Sequence, residues 1–374
     1  MAWNWEQPEW PDFRWNAEIL APLEARFMQQ SGVQIGSIRH FDEEASAHVL
    51  VDILTSEALK TSEIEGEILN RDSVQASILH HFGMETDHRR IPPAERGISD
   101  LLFDLHRNFG EKLTDSMMHR WHIMVTAGRT DLQDVGRYRS QGDPMQVVSG
   151  AIHKPKVHFE APPSDRLEGE MAQFVKWFAT TAPNGRTPMP PLTRAGLAHL
   201  YFVSIHPYED GNGRIARALA EKALAQAIGQ PTLLALSHTI QRGRKVYYDA
   251  LEANNKAMDV TGWLIYFAET VLSAQSHSQG MIDFLIEKTK LFDRLRGQLN
   301  ERQDRVLARM FREGPEGFKG GLSAANYITI TGASRATATR DLAQLVSIGA
   351  LTMTGTLKAT RYYLNIAAQT TTHG

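Results

Sequence analysis

One segment constrains the fold of this chain more than any other, because it ends one helix and begins another across a tight turn. The segment reads His206-Pro-Tyr-Glu-Asp-Gly-Asn-Gly-Arg-Ile-Ala-Arg217. An apolar helix predicted over Leu192–Ile205 stops there, since Pro207 breaks it, and a second helix is predicted to start near Arg214. Backbone amides in the Gly-Asn-Gly turn converge on one point, which the dipole of the second helix makes favourable for an anion.

The charged side chains of this segment suit phosphate chemistry. Arg214 and Arg217 are three positions apart, so they share one helix face and can clamp neighbouring phosphates. Asp210 is a carboxylate beside the predicted phosphate site and is the expected ligand for Mg²⁺. His206 has an unperturbed pKa of about 6.5, which suits a general base at physiological pH. Taken singly these residue types are usually structural, but their combination predicts a catalytic phosphate site.

Composition limits the remaining classes of function. The 374 residues carry a net charge of −3 and are 42% hydrophobic, as expected of a folded protein without a whole-chain attraction to nucleic acid. The absence of cysteine excludes disulfides, thiolate catalysis and cysteine metal sites. The start lacks a signal-peptide pattern and the chain lacks an apolar run that could span a bilayer. We therefore expect a cytoplasmic protein without a membrane partner.

Apolar residues at three- and four-residue spacing predict a mostly α-helical chain. Glycines and prolines interrupt this pattern over 136–163 and alternate with short β-prone runs, which predicts a β-hairpin with an irregular loop. We expect four regions: an N-terminal helical region at 1–100, a core at 101–275 that includes this hairpin, a connecting helix at 276–300 and a last unit at 301–374.

Four tryptophans, Trp3, Trp5, Trp10 and Trp15, lie in the first sixteen residues. Aromatic side chains dominate the energetics of protein cores, so we expect this cluster to pack as a cap on the body of the protein. A docking surface for a partner is the alternative.

The last unit has a pattern of its own. It predicts a helix over Gln303–Glu313, a short helix over Leu322–Ile328, a turn, a longer helix over Ala333–Ile348 and a terminal hairpin. This order is typical of a small winged helix-turn-helix domain. Its long helix and wing carry residue types that suit DNA, a solvent-exposed face or a protein contact equally well, and DNA binding stays open. These are Ser334, Arg335, Thr337, Thr339, Arg340, Lys358 and Arg361.

The segment at 206–217 resembles the signature of the Fic family, His-Pro-Phe-x-(Asp/Glu)-Gly-Asn-Gly-Arg-x-x-Arg, and differs only in having Tyr208 at the aromatic position. A buried tyrosine hydroxyl needs a hydrogen-bond partner. The resemblance extends over about 45–270 and implies a Fic helical core with a β-hairpin flap. It implies transfer of AMP from ATP to a Ser, Thr or Tyr hydroxyl of a protein, with release of pyrophosphate.

The resemblance also assigns a role to each residue of the segment. His206 would be the base and Asp210 would hold the Mg²⁺ between the α- and β-phosphates. The backbone of Gly211, Asn212 and Gly213 would line the phosphate site. Arg214 would contact the β-phosphate region and Arg217 the γ-phosphate.

Two further sets of residues follow from the same resemblance. The flap strand that aligns a target segment by strand addition best matches Val147, Val148, Ser149 and Gly150. Tyr247, Tyr248 and Asn255, predicted on one helical segment, match positions near the nucleoside. Judged as residues alone, two tyrosines on a helix indicate core packing, and both readings stay open.

The run Thr61-Ser-Glu-Ile-Glu-Gly66 fits the pattern (Ser/Thr)-x-x-x-Glu-(Gly/Asn) of the autoinhibited members of the family. The resemblance implies that Glu65 pairs with Arg217 and thereby misplaces bound ATP. Glu63 and Glu67 are the neighbouring carboxylates that could be mistaken for it. A solvent-exposed helix residue is the alternative interpretation of Glu65.

The resemblance implies an autoinhibited protein adenylyltransferase that uses ATP and Mg²⁺, modifies a protein hydroxyl and includes itself among its targets. A homodimer is a further expectation. One alternative is a DNA-binding regulator whose Fic part senses nucleotide, and another is a Fic enzyme with a different nucleotide donor. The histidine pairs His80/His81 and His119/His122 lack a third ligand at zinc spacing, so we expect no zinc site. We expect Lys154, Lys156 and His158 to form a solvated face of the hairpin.

Overall fold

A computed structural model describes residues 2–38, 43–84, 90–151, 154–314, 317–318 and 320–367. The chain forms two compact units, Met1–Ser276 and His277–Gly374. Two residues of the predicted hairpin, Ile152 and His153, and the end of the predicted last unit, 368–374, lie outside the described residues.

The first unit is helical, as the apolar spacing predicts. Its helices are α1 (Ala17–Ile38), α2 (Glu43–Ile64), α3 (Arg71–His81), α4 (Pro93–Asn108), α5 (Asp115–Val125), α6 (Leu167–Thr180), α7 (Pro191–Ile205), α8 (Asn212–Ile228), α9 (Leu236–Arg242), α10 (Arg244–Ala253) and the first part of α11 (Thr261–Arg294).

Helices α7 and α8, which flank the motif, form the centre of this unit. Both are buried along almost their whole length, α1 and α6 pack on α7, and α2, α4 and α5 pack on α8. One continuous hydrophobic core joins side chains from Leu20 to Leu272. The predicted region at 1–100 therefore shares its core with the rest of the unit. The motif loop is fixed at both ends by helices that cannot shift without disrupting this core.

The predicted hairpin is present. Strands β1 (Gln146–Ala151) and β2 (Lys154–Glu160) pair antiparallel, with an irregularity between Val147 and Val148. Its base is packed by the tryptophan cluster: the Trp5 indole donates to the Glu160 carbonyl at 2.7 Å, and the Trp3 and Phe159 rings are 5.4 Å apart. Trp10 meets Tyr201 edge-on at 5.0 Å. The interpretation of the cluster as a packed cap is confirmed for these three tryptophans.

The second unit follows the predicted element order. It contains the rest of α11, then α12 (Glu301–Arg312), α13 (Ala324–Thr331), α14 (Arg335–Ser347) and the antiparallel strands β3 (Leu351–Thr354) and β4 (Arg361–Leu364). The connecting helix predicted over 276–300 was wrongly bounded, since α11 runs from 261 to 294 without a break and starts inside the first unit. The winged helix-turn-helix interpretation stays a prediction. Over the described residues, no helix is long and apolar enough to cross a bilayer.

Candidate phosphate-binding and catalytic site

The loop between α7 and α8 is built by two left-handed residues. His206 ends α7 with φ 51° and ψ 57°, a conformation that costs a non-glycine residue energy and is concentrated at functional sites. Gly211 precedes α8 with φ 79°, which glycine adopts without strain. Helix α8 begins at Asn212, two residues before the predicted start at Arg214. The amides of 212 and 213 therefore lie in its first turn, where they have no partner within the helix.

The side chain of Asn212 closes the loop. It is buried, donates through Nδ2 to the Tyr208 carbonyl at 2.7 Å and accepts from the Tyr208 amide at 3.0 Å. Both of its polar groups are thus used inside the loop, so Asn212 can contact a ligand only through its backbone.

Tyr208 replaces the usual phenylalanine without leaving its hydroxyl unpaired. The ring is fully buried, and the hydroxyl lies 3.0 Å from Nδ1 of His119. His122 stacks on the same ring at 4.2 Å, and its Nδ1 accepts from the Gly136 amide. Burial lowers the pKa of His122 to about 4, so this imidazole is neutral. The two histidines support the loop, and the described residues contain no cluster of three metal-binding side chains.

The loop is also tied to the segment that leads into the flap. The Glu209 carboxylate accepts from the amides of Gln133 at 2.8 Å and Asp134 at 2.6 Å. Buried Arg139 donates through Nε to the His206 carbonyl at 2.9 Å, and its amide donates to the Pro207 carbonyl at the same distance. These contacts couple the position of the flap to that of the candidate base.

His206 is held in the form that a base needs. Its Nδ1 lies 3.3 Å from the Val203 carbonyl, and since a carbonyl only accepts, that nitrogen carries the proton. The lone pair is therefore on Nε2. Burial, with a smaller contribution from Arg139, lowers the pKa of His206 to about 4, which keeps the imidazole neutral at physiological pH.

The structure places Glu65 directly on Arg217. Glu65 Oε1 accepts from Arg217 Nη2 at 2.8 Å, and the Arg217 side chain is only 2% exposed. Thr61, the first residue of the same sequence pattern, accepts from Arg217 Nε at 2.8 Å through its hydroxyl and from Nη2 at 2.9 Å through its carbonyl. Arg217 Nη1 is buried and has no partner among the described residues. The end of α2 thus occupies most of this guanidinium.

Arg214 has a different carboxylate partner. Its side chain is 3% exposed, and Nη1 lies 2.7 Å from Glu67 Oε2. Its Nε is buried without a partner in the described part of the chain. The two arginines of the motif are therefore both paired with acidic residues that follow α2, and each has a buried guanidinium nitrogen without a partner in the part of the chain that the structure describes.

Asp210 is paired with a residue that sequence analysis missed. Arg129 donates through Nη1 to Asp210 Oδ2, while Asp210 Oδ1 accepts from the Gly211 amide at 2.6 Å and lies 3.9 Å from Arg214. The Asp210 side chain is about one-third exposed. Arg129 follows α5 and belongs to no pattern in the sequence, so no signal marks it.

The three residues predicted near the nucleoside separate in the structure. Tyr247 is buried and its hydroxyl lies 3.0 Å from Nε2 of His199, so it is a core residue. Tyr248 is 38% exposed, and its hydroxyl donates to the Ile64 carbonyl at the end of α2. The prediction that all three lie on one helix was wrong, because α10 ends at Ala253. Asn255 instead donates to the His158 carbonyl of the flap at 2.8 Å.

The predicted flap strand has an exposed stretch at Val147 and Val148, with exposed fractions of 37% and 50%. The Ser149 hydroxyl lies 2.6 Å from Nε2 of His158, and Gly150 pairs with Pro155 in the backbone register.

The expected solvated face of the hairpin is confirmed for Lys156, whose side chain is 63% exposed, but was wrong for His158, which is 25% exposed. The two side chains bind the two oxygens of Glu252 on α10 at 2.9 and 2.7 Å, and so hold the flap to the body. The Lys154 side chain lies outside the described residues.

Comparison with known proteins agrees with this geometry. Residues 101–224 match the sequence model of the Fic/DOC family, and residues 3–84 match a domain of unknown function, DUF4172. The segment that matches the Fic/DOC model contains the whole loop from His206 to Arg217.

Among curated relatives, the Protein adenylyltransferase Fic of Nematostella vectensis is 32% identical over 122 residues, 33% of this chain and 24% of that protein. The protein of the same name from Culex quinquefasciatus is 35% identical over 81 residues, 22% of this chain and 15% of its own length. The chain thus spans only a minor part of these relatives.

Two solved structures share the fold. A Fic family protein from Desulfovibrio desulfuricans G20 has a TM-score of 0.53 at 20% identity, covering 92% of this chain and 96% of that one. A Fic domain containing signaling protein from Bacteroides thetaiotaomicron VPI-5482 has a TM-score of 0.52 at 18% identity, covering 68% of this chain and 96% of that one.

Proposed function

We propose that this protein transfers the AMP moiety of ATP to a hydroxyl group of a protein, and that Glu65 restrains the reaction. The observation that carries the proposal is a neutral imidazole beside a left-handed turn, followed by two buried guanidinium groups. Each of these groups has a buried nitrogen without a partner among the described residues. Buried arginines with free donors favour a polyanion, and a triphosphate fits the spacing of three residues between them.

In this proposal the loop binds the triphosphate and His206 performs the proton transfer. The free Nε2 of His206 accepts the proton of the target hydroxyl. The hydroxyl oxygen then forms a bond to the α-phosphorus of ATP, the bond from that phosphorus to the bridging oxygen breaks, and pyrophosphate leaves. The amides of the first turn of α8 and the guanidinium groups of Arg214 and Arg217 stabilise the charge on the phosphates.

Asp210 fits the expected Mg²⁺. Magnesium keeps several waters and takes one or two carboxylates together with phosphate oxygens, and Asp210 is a single, partly exposed carboxylate at the phosphate turn. When bound there, the ion would neutralise charge on the phosphates during transfer. The ion pair between Arg129 and Asp210 would have to open for the carboxylate to bind it.

The flap supports recognition of a protein target. The carbonyls of His158 and Glu160 on β2 are already used by Asn255 and Trp5, so a target segment would add to β1 instead. Val147 and Val148 offer exposed apolar side chains at that strand. Of the residues expected near the nucleoside, Tyr248 is the one that is accessible.

Glu65 restrains transfer because its carboxylate competes with phosphate for Arg217. Its Oε1 also lies against Gly213, only 2.2 Å from the point where a Cβ at that residue would be. The carboxylate therefore contacts Gly213 at the end of the phosphate turn. A bound triphosphate would be displaced from its reactive position, and a displacement of about 1 Å can cost on the order of 10²-fold in rate.

Transfer from ATP labelled on the α-phosphate tests the proposal. We expect Glu65→Gly to raise label incorporation into protein, including the chain itself, by about 10²-fold. His206→Ala on that background should abolish it. Glu63→Gln is the matched control, since Glu63 pairs with Lys60 and Gln241 and should leave transfer unchanged.

Two outcomes of this assay would redirect the proposal. Absence of label in Glu65→Gly would exclude AMP transfer, and label from γ-phosphate-labelled ATP or from UTP would identify a different donor chemistry. An unchanged rate in Glu65→Gly despite measurable transfer would remove Glu65 as the restraint.

A second candidate function, duplex DNA binding by the second unit, is favoured by its charge. The segment 277–374 has 13 Lys and Arg against eight Asp and Glu, in a chain whose net charge is −3. Over 317–367 the only acidic residue is Asp341, which is buried and bonded to Arg302 and Tyr327. The outer face of α14 presents the exposed residues Arg335, Thr339 and Arg340, and α14 itself carries no exposed acid.

Fluorescence anisotropy with a labelled duplex of random sequence tests this second function in the full chain. DNA binding predicts an affinity that falls as salt rises and that Arg335→Ala/Arg340→Ala removes, because phosphate contacts release counterions. Binding that is unchanged by this double substitution, or no binding at low salt, would contradict it.

A further inference from the structure

Glutamates occupy every second position at and just after the end of α2, namely Glu63, Glu65 and Glu67. The turn that follows α2 places their carboxylates against different partners. Gly66 adopts φ 90°, and the Ser62 carbonyl accepts from the amides of both Glu65 and Glu67, at 3.1 and 3.0 Å. This is a tight helix-ending turn that requires a left-handed residue, which glycine supplies. The turn folds Glu67 back towards α8, so it faces the motif instead of leaving the site.

Each of the two later carboxylates takes a separate arginine. Glu65 binds Arg217 at 2.8 Å and Glu67 binds Arg214 at 2.7 Å. Glu63, only two residues from Glu65, binds neither of them and accepts from Lys60 and Gln241. The pairing is therefore specific to the two acidic residues on either side of Gly66.

We propose that Glu67 is a second restraining carboxylate, which competes with the nucleotide for Arg214 as Glu65 competes for Arg217. The inference rests on the proposed function, because it takes the loop as the triphosphate site. Together the two carboxylates occupy both guanidinium groups of the loop with negative charge before nucleotide arrives. Release of Glu65 alone leaves Arg214 paired.

The environment of the ion pair between Glu67 and Arg214 favours replacement of the Glu67 carboxylate by a ligand over a purely structural role for the pair. Arg214 is almost completely buried, whereas the Glu67 side chain is 29% exposed and follows a turn. Glu67 satisfies one N–H group of the guanidinium and leaves the buried Nε without a partner among the described residues. A phosphate group has more acceptor oxygens than a single carboxylate contact uses, so it can satisfy the guanidinium more fully. Glu67 can move into solvent while Arg214 stays in place.

The two restraints make different predictions for nucleotides of different length. If Arg214 serves the β-phosphate region and Arg217 the γ-phosphate, Glu67 should weaken binding of both ADP and ATP, whereas Glu65 should weaken binding of ATP alone. AMP reaches neither arginine and should be unaffected by both carboxylates. The different effects on ADP binding distinguish the role of Glu67 from that of Glu65 without an activity measurement.

Isothermal titration calorimetry of the full chain with AMP, ADP and ATP in Mg²⁺ provides the test. All variants carry His206→Ala to prevent transfer. We expect Glu67→Gln to tighten both ADP and ATP by about tenfold, the magnitude of one charge-assisted hydrogen bond. Glu65→Gln should tighten ATP alone, and the control Glu63→Gln should change neither. Glu67→Ala repeats the test without a side-chain amide that could still contact Arg214.

The possible results separate the inference from the proposed function. Tightening of ATP by Glu65→Gln, with both Glu67 variants unchanged, would overturn the role of Glu67 and leave the proposed function intact. A lower Tm in the Glu67 variants without tighter nucleotide binding would assign Glu67 to structure and overturn the inference equally. If no variant binds any nucleotide, the triphosphate site itself is wrong and both proposals fail.

Discussion

The loop His206–Arg217 and the turn Thr61–Glu67 meet at the same two arginines, but they are specified in opposite ways. The loop is built from contiguous residues. Its helix break, its left-handed positions and the two hydrogen bonds from the Asn212 side chain to the Tyr208 backbone all lie within the motif. The turn supplies carboxylates from about 150 residues earlier, and it reaches the site only because α2 packs on α8. In the proposed function, the loop defines the chemistry and the turn regulates access to it.

This difference predicts how each region responds to substitution. A defect in the loop should remove function, since no distant element can rebuild a local backbone turn. A defect in the turn should increase function, since it frees donors that already have the right geometry. Effects of the opposite sign in either region would contradict this contrast.

The largest expected effect is in the loop, from Asn212→Ala. The substitution removes two buried hydrogen bonds to the Tyr208 backbone, which should cost about 3 kcal/mol of folding free energy and misplace the phosphate amides. On the Glu65→Gly background we expect AMP incorporation to fall by about 10²-fold, with a lower calorimetric Tm. Asn300→Ala, which removes the N-cap of α12 in the second unit, is the control that should leave incorporation intact. Full activity in Asn212→Ala would mean that the hydrogen bonds between Asn212 and Tyr208 are dispensable for transfer.

A smaller effect of opposite sign is expected in the turn from Thr61→Val in the otherwise unchanged chain. The change keeps the side-chain shape and removes the hydroxyl that holds Arg217 Nε at 2.8 Å. Because Glu65 remains, we expect transfer to rise only about threefold, a loss of somewhat under 1 kcal/mol of restraint. Thr55→Val, on the same helix with its hydroxyl bonded to Val51, should have no effect. A decrease in Thr61→Val would contradict a restraining role for this residue.

Tyr208→Phe should have a still smaller effect, because it restores the aromatic residue usual in the family. The ring packing on His122 is kept, and only the hydroxyl contact with His119 at 3.0 Å is lost. We expect a loss of about 1 kcal/mol of stability and transfer within about twofold of the parent. A large loss of transfer measured on the Glu65→Gly background would show that the hydroxyl takes part in the reaction.

The smallest expected effect is that of pH on kcat/KM for ATP, which reports the ionisation of the free enzyme. His206 must be neutral to act as a base, and burial lowers its pKa to about 4, so the base form is complete above that pH. We expect less than a twofold change between pH 5.5 and 7.5 on the Glu65→Gly background. A histidine with an unperturbed pKa of about 6.5 would instead lose about tenfold over this range. A tenfold fall towards low pH would show that His206 is not desolvated.

The features of the site that the sequence predicts are those that depend on contiguous residues. The loop and its flanking helices were predicted close to their observed bounds, because helix breakers and apolar spacing are local signals. The two strands of the hairpin lie within the predicted 136–163 but start ten residues after it begins. Glu65 was singled out through a family pattern, since nothing in its own surroundings in the sequence distinguishes it from Glu63 or Glu67.

The contacts that sequence analysis missed are long-range. Arg129 on Asp210, Arg139 on the His206 carbonyl and Glu252 on the flap involve side chains brought together only by helix packing. Charged residues of this kind carry no periodicity, so a single sequence offers no way to pair them. Asn255 was misplaced for a related reason: α10 ends before it, and its partner is on the flap.

The proposed function depends most directly on where a triphosphate binds. A crystal structure of the Glu65→Gly/His206→Ala chain with ATP and Mg²⁺ would locate it. We predict phosphates over the backbone of 211–213, hydrogen-bonded to Arg214 and Arg217, with the α-phosphate facing residue 206. Density for the triphosphate at any other place on the chain would contradict the account.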